Sequence, residues 1–132
     1  MVKRLALVAL VATGLITNPI LSAVRNISSL TEFNNEIKKD NVTVVKVSTS
    51  WCGPCKASDP MYNQLATQYP NATFLKVLAD GPGSQIAQSL RANSVPTFIV
   101  YKSGKVLRRF SGLQGGIPGT RNAISSTITN AK

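Results

Sequence analysis

Both cysteines of this 132-residue chain, Cys52 and Cys55, stand two residues apart in the stretch STSWCGPCKASDP, Ser48 to Pro60, and the chain has no histidine. Three uses of such a pair compete. Zinc would need two further ligands, and neither a second cysteine pair nor a histidine exists to complete a tetrahedral site. A structural disulfide across so small a loop removes little entropy from the unfolded chain, because that stabilisation grows with loop length. A redox pair suits the spacing. A thiolate on one cysteine attacks a substrate disulfide, and a second thiol one helical turn away resolves the mixed disulfide within the molecule. With no imidazole in the chain, the acceptor of the thiol proton is an open question.

The surrounding pattern positions such a pair. Asn41–Ser48 (NVTVVKVS) is a β-branched run of the kind a central, doubly covered strand uses. A helix is expected from Cys52 to Tyr69, ended by Pro70-Asn71. Cys52 then sits at a helix N-terminus, where unpaired N–H groups and the macrodipole favour a thiolate and lower its pKa. Pro54 in the first turn sacrifices no helical hydrogen bond. This placement predicts Cys52 as the exposed nucleophile and Cys55 as the resolving thiol.

Upstream, Ser29-Leu30-Thr31-Glu32 reads as a capping box, with Leu30, Phe33 and Ile37 on one helical face. Downstream, Ala72–Ala79 reads as a second buried strand, DGPGS (80–84) as a turn, and Ser84 to about Ala92 as a short helix. TFIVYKSGKVLRRFSG (97–112) is a hairpin turning at Ser103-Gly104. A final helix is expected within Gly119–Lys132, where Ile124 and Ile128 lie four apart. The order implies an α/β fold, a mixed sheet with helices on both faces.

WCGPCK, Trp51 to Lys56, resembles the active-site motif of the thioredoxin family, and SVPTFIVYKSGK, Ser94 to Lys105, is similar to the segment in which that family carries a cis-proline facing its cysteines. The resemblance spans about Val24 to Lys132. It implies the thioredoxin fold, a central mixed sheet of four to five strands flanked by about four helices. It also implies reduction of protein disulfides by dithiol/disulfide exchange, with Cys52 and Cys55 as the redox disulfide and no cofactor or metal. Trp51, Gly53 and Pro54 would tune the pair. A cis Val95–Pro96 peptide, with Val95 backbone groups and Gly112, would line the substrate groove. Pro60 matches the proline that kinks the active-site helix, and Gly104 the hairpin glycine. A disulfide-forming oxidase or isomerase, and a non-catalytic binding module using the groove at Pro96, are the alternatives.

One position departs from the family pattern. The buried aspartate expected six residues before the first cysteine is replaced by Lys46, while the lysine that pairs with it is kept as Lys76. No carboxylate takes its place nearby in sequence. Water, a substrate thiolate or a Lys46 made basic by desolvation could take the proton. Equally, Lys46 could snorkel to solvent and play no part. Two cations near the pair would favour the thiolates over the disulfide and make the protein a weaker reductant.

The chain's 15 Lys+Arg against 5 Asp+Glu give +10. These charges are scattered and carry no interleaved aromatics, which argues against a nucleic-acid site. Lys3-Arg4, the apolar run Leu5–Ile16 and the small residues ending at Ala23 have the three parts of a secretory signal peptide. Export to a periplasm or a secreted setting is therefore expected, with residues 1–23 a signal and 24–132 the domain, or a membrane anchor if cleavage fails. Expected partners are cysteine-containing protein substrates and an electron-donor reductase or membrane redox partner. A monomer is expected.

Overall fold

The computed structural model describes residues 23–131; the signal reading of residues 1–23 falls almost wholly outside them. A five-stranded sheet is built in the order β1-β3-β2-β4-β5 from β1 (Arg25–Asn26), β2 (Val42–Ser48), β3 (Thr73–Leu78), β4 (Thr97–Lys102) and β5 (Lys105–Ser111). β1, β3 and β2 run parallel, whereas β4 is antiparallel to both β2 and β5. Four helices complete the described residues: α1 (Leu30–Ile37), α2 (Gly53–Gln68), α3 (Ser84–Ser89) and α4 (Gly116–Asn130).

Strand alternation divides the core in two. Val45, Val47, Leu75, Val77, Ile99 and Tyr101 pack with Phe33 of α1 and Ile86 of α3. On the opposite face Val44, Phe74, Phe98 and Val100 pack with Met61, Tyr62 and Leu65 of α2 and Ile124 of α4. The side-chain period of two places Lys46 and Lys76, which are register partners, on this second face under α2.

The capping expectation holds in one direction. Ser29 Oγ accepts the Glu32 amide at 3.1 Å, while the Glu32 carboxylate pairs with Arg25. Ser103 and Gly104 both have positive φ, 53° and 80°, as a two-residue hairpin turn of the twist-matched kind requires. α4 starts three residues before the expected Gly119. The sequence Gly115-Gly116-Ile117-Pro118 reads as a breaker, but Pro118 falls in the first turn, where no N–H is needed. Gly119 is demanded by packing: a Cβ there would lie 2.4 Å from the Gln114 carbonyl oxygen.

Candidate active site at the carboxyl end of β2

β2 ends at Ser48, and the chain turns through Thr49–Trp51 into α2. Asp80, just beyond β3, holds this turn. Its two carboxylate oxygens each accept the Ser50 amide at 3.1 Å, and Oδ2 also accepts the Ser50 hydroxyl. Those hydrogen bonds, the hydroxyl's foremost, hold the Asp80 carboxyl below the usual carboxylate pKa. Cys52 is the N-cap of α2, with Pro54 in the first turn.

Cys52 and Cys55 form a disulfide, their Cα atoms 5.3 Å apart. Cys52 Sγ accepts the Cys55 amide at 3.1 Å, so the sulfur itself satisfies one of the free N–H groups of the helix start. This geometry corrects the expectation of an exposed Cys52. In the oxidised pair Cys52 is only 4% exposed, against 2% for Cys55, because its sulfur is turned back onto the first helical turn. The exposed marker of the site is Trp51, at 71%.

The antiparallel pairing of β4 with β2 sets Thr97 opposite Val47, so the residues preceding Thr97 arrive at the same end of the sheet as the cysteines. The Val95–Pro96 peptide is cis. The Pro96 carbonyl accepts the Gly112 amide at 2.7 Å, and Gly112 has φ +74°, with open space where a Cβ would project. Trp51, Gly53, Pro54, Val95, Pro96 and Gly112 thus gather at or beside the carboxyl end of β2. Pro60 lies within α2, which continues past it to Gln68.

Below the pair the structure decides between the readings of Lys46. Lys46 does not snorkel: its side chain is fully buried. A carboxylate does replace the missing aspartate, but from α2. Lys46 Nζ donates to Asp59 Oδ1 at 2.6 Å and to the Cys55 carbonyl at 2.9 Å. Lys76 Nζ contacts the same carboxylate, 3.1 Å from Oδ1 and 3.0 Å from Oδ2. The two cations are therefore bridged by one anion. Burial would raise the Asp59 pKa, but the hydrogen bonds and charges of Lys46 and Lys76 outweigh it and hold it low. Burial pushes the Lys46 pKa down, opposed by Asp59 and reinforced by Lys76. The signal for Asp59 was its spacing, four residues after Cys55 and so one turn along the same helical face. Ser50 and Asp80 carried no such signal.

The thioredoxin family profile matches residues 24–129. The chain is 36% identical over 89 residues to thioredoxin-1 of Schizosaccharomyces pombe, covering 67% of this chain and 85% of that protein. It is 35% identical over 106 residues to thioredoxin-2 of Saccharomyces cerevisiae, covering 80% and 99%. The crystal structure of thioredoxin from Trypanosoma brucei brucei superposes with a TM-score of 0.74 at 28% identity, covering 86% of this chain and 95% of that one. The chain belongs to the thioredoxin family. Its fold is the thioredoxin fold, and it is a thiol–disulfide oxidoreductase that reduces protein disulfides by dithiol/disulfide exchange through its redox-active cysteine pair.

Proposed function

We propose that Cys52 attacks the substrate and Cys55 resolves, and that the protein reduces its substrates outside the cytosol. The observation that carries the division of roles is the N-cap position of Cys52 against the position of Cys55 inside the helix. In the reduced pair the Cys52 thiolate is stabilised by the helix N-terminus and attacks one sulfur of a substrate disulfide. A Cys52–substrate disulfide forms and one substrate thiolate leaves. The Cys55 thiol then loses its proton and its sulfur attacks Cys52 Sγ. The second substrate thiolate departs, and two electrons have passed from the pair to the substrate. A dithiol donor or reductase must restore the pair. Trp51 supplies exposed apolar surface beside it, and the Val95 backbone at the cis-proline suits an extended polypeptide.

Substrate trapping tests the roles. Cys55→Ser accumulates mixed disulfides with substrate proteins and Cys52→Ser does not; equal trapping by both variants refutes the assignment. The export reading is supported by Lys3, Arg4 and the apolar run Leu5–Ile16. It is tested by the mass of the protein recovered from its host. A mature N-terminus at or near Val24 supports it, and an intact Met1–Lys132 chain in soluble cytoplasm overturns it.

A further inference from the structure

Lys46 is the one lysine among the described residues whose side chain is fully buried, and it is bonded to the backbone of a redox cysteine. It projects from the central strand between the rings of Tyr62, 5.4 Å from Nζ, and Phe98, 5.9 Å away. An ammonium in such surroundings keeps its proton only with a partner, and buried lysines without one titrate as low as pH ~5–6. The partner is Asp59, which approaches from the helix that carries the cysteines. We propose that Asp59 is a positioning residue for the redox pair: it holds the buried Lys46 ammonium charged against the Cys55 carbonyl, so that a cation stands at the first turn of α2 where the Cys55 thiolate forms.

The charged and titratable groups around this point come from four places. α2 contributes Asp59 and the exposed Lys56; β2 contributes Lys46; β3 contributes Lys76. Asp80 is engaged by Ser50 on the turn before Cys52. The Tyr62 hydroxyl donates to the Val44 and Leu75 carbonyls, and burial raises its pKa well above the ordinary value, so it remains neutral. Asp59 can therefore act on Cys55 in two opposed ways. Its own negative charge disfavours the thiolate. By keeping Lys46 protonated, it favours the thiolate. The sign of the effect of neutralising Asp59 separates the two routes, and the direct Lys46–Cys55 carbonyl bond marks the second as dominant. The consequence lies in the resolving step, where the Cys55 thiol must release its proton before its sulfur attacks Cys52. The inference thus rests on Cys55 as the resolving thiol.

The experiment titrates the cysteine Cβ resonances by NMR in the reduced, full chain, which reads Cys55 whichever sulfur attacks first. Lys46→Met raises the Cys55 pKa by about one unit, the low end of the effect of a neighbouring charge, and Asp59→Asn raises it by less, because it also removes the carboxylate's own opposing charge. Lys46→Arg leaves it near the wild-type value. In the Lys46→Met background Asp59→Asn adds no further rise. In Lys46→Met single-turnover resolution at pH 7 slows about three- to fourfold, because tenfold less thiolate is partly offset by its greater nucleophilicity. A Cys55 pKa that falls or stays unchanged in Asp59→Asn overturns the proposal, as does an equal rise in the Lys46→Met background. Should Asp59→Asn fail to fold, the Nζ nitrogen shift of Lys46 in the wild-type protein and the Lys46→Met titration decide. A neutral amine at pH 7, or an unchanged Cys55 pKa in Lys46→Met, overturns the proposal. Failure of substrate trapping with an intact Cys55 shift refutes the division of roles instead.

Discussion

The amide of Gly112 donates to the Pro96 carbonyl at 2.7 Å, tying the residue just after β5 to the one just before β4. Gly112 has φ +74°, in the left-handed region. A Cβ would meet nothing within 4 Å, so only the backbone opposes a larger residue. Gly112→Ala is expected to lose about 1–2 kcal/mol by chemical denaturation, the ordinary cost of that conformation for a residue with a Cβ. Gly112→Asn should lose less. Equal losses for the two variants would mean that something other than φ is at stake.

Among the described residues Tyr62 is the largest fully buried side chain, and its one hydroxyl proton is shared between the Leu75 and Val44 carbonyls on neighbouring strands, at 2.8 and 3.0 Å. Its ring packs edge-on against Phe74. Tyr62→Phe keeps the ring and removes the donor. The variant is expected to lose about 0.5–1.5 kcal/mol, the net worth of such a hydrogen bond, with the fold and the redox activity retained. Thermal unfolding and insulin-type disulfide reduction measured side by side check this.

The elements were legible because local signals agreed with tertiary demand. β2 and β3 were found from β-branched and apolar runs, the hairpin from Ser103-Gly104, and the redox site from two cysteines at a strand-to-helix turn. Where the reading failed, the cause was contact distant in sequence. Lys46 has no partner in the local sequence pattern because Asp59 lies 13 residues away, on another element. Only the pairing of β2 with β3 and the packing of α2 across both reveal that one carboxylate serves two lysines. The start of α4 was missed because Gly115 and Gly116 signal a loop, whereas both have positive φ at the helix entry. The burial of Cys52 is not legible in the sequence, because a helix N-terminus implies the surface whereas its sulfur folds back onto the Cys55 amide.

Acid stability follows from Asp59. Its pKa is held below the unfolded value of about 3.9, so the unfolded chain binds more protons as the pH falls through that range. The stabilisation from this carboxylate is complete above the unfolded pKa and is lost as the pH falls through the lower folded value. The difference in unfolding free energy between the wild type and Asp59→Asn should therefore shrink below about pH 4, after widening between about pH 7 and pH 5–6, where the partnerless Lys46 of the variant is forced to take up its proton. Glu36, whose pKa is lowered by Lys39 and Arg25 against its burial, gives both proteins the same further loss of stability in acid, which cancels in the difference. Urea titrations at several pH values read it directly; a gap that fails to shrink below about pH 4 would contradict the ion pairing.

The arrangement of charge, rather than its amount, is what the buried cluster requires. Lys46→Asp would set a second carboxylate against Asp59 with only Lys76 to serve both, in a site that excludes water from position 46. Like charges so close cannot both ionise, so one carboxyl must take up a proton at neutral pH. The single variant is expected to lose about 3–5 kcal/mol, the scale for breaking a buried pair. The exchanged variant Lys46→Asp with Asp59→Lys restores an anion on β2 and cations on α2 and β3. It should recover more than half of that loss, since the pair is re-formed with its ends reversed. Its Cys55 carbonyl, however, no longer receives the Lys46 ammonium. If stability returns in the exchanged variant while the resolving step stays slow, the cluster's structural and redox contributions are separable, and the second depends on where the cation stands. If the exchanged variant is no more stable than Lys46→Asp alone, the Lys46–Asp59 pair is not the interaction that holds this face of the sheet to α2.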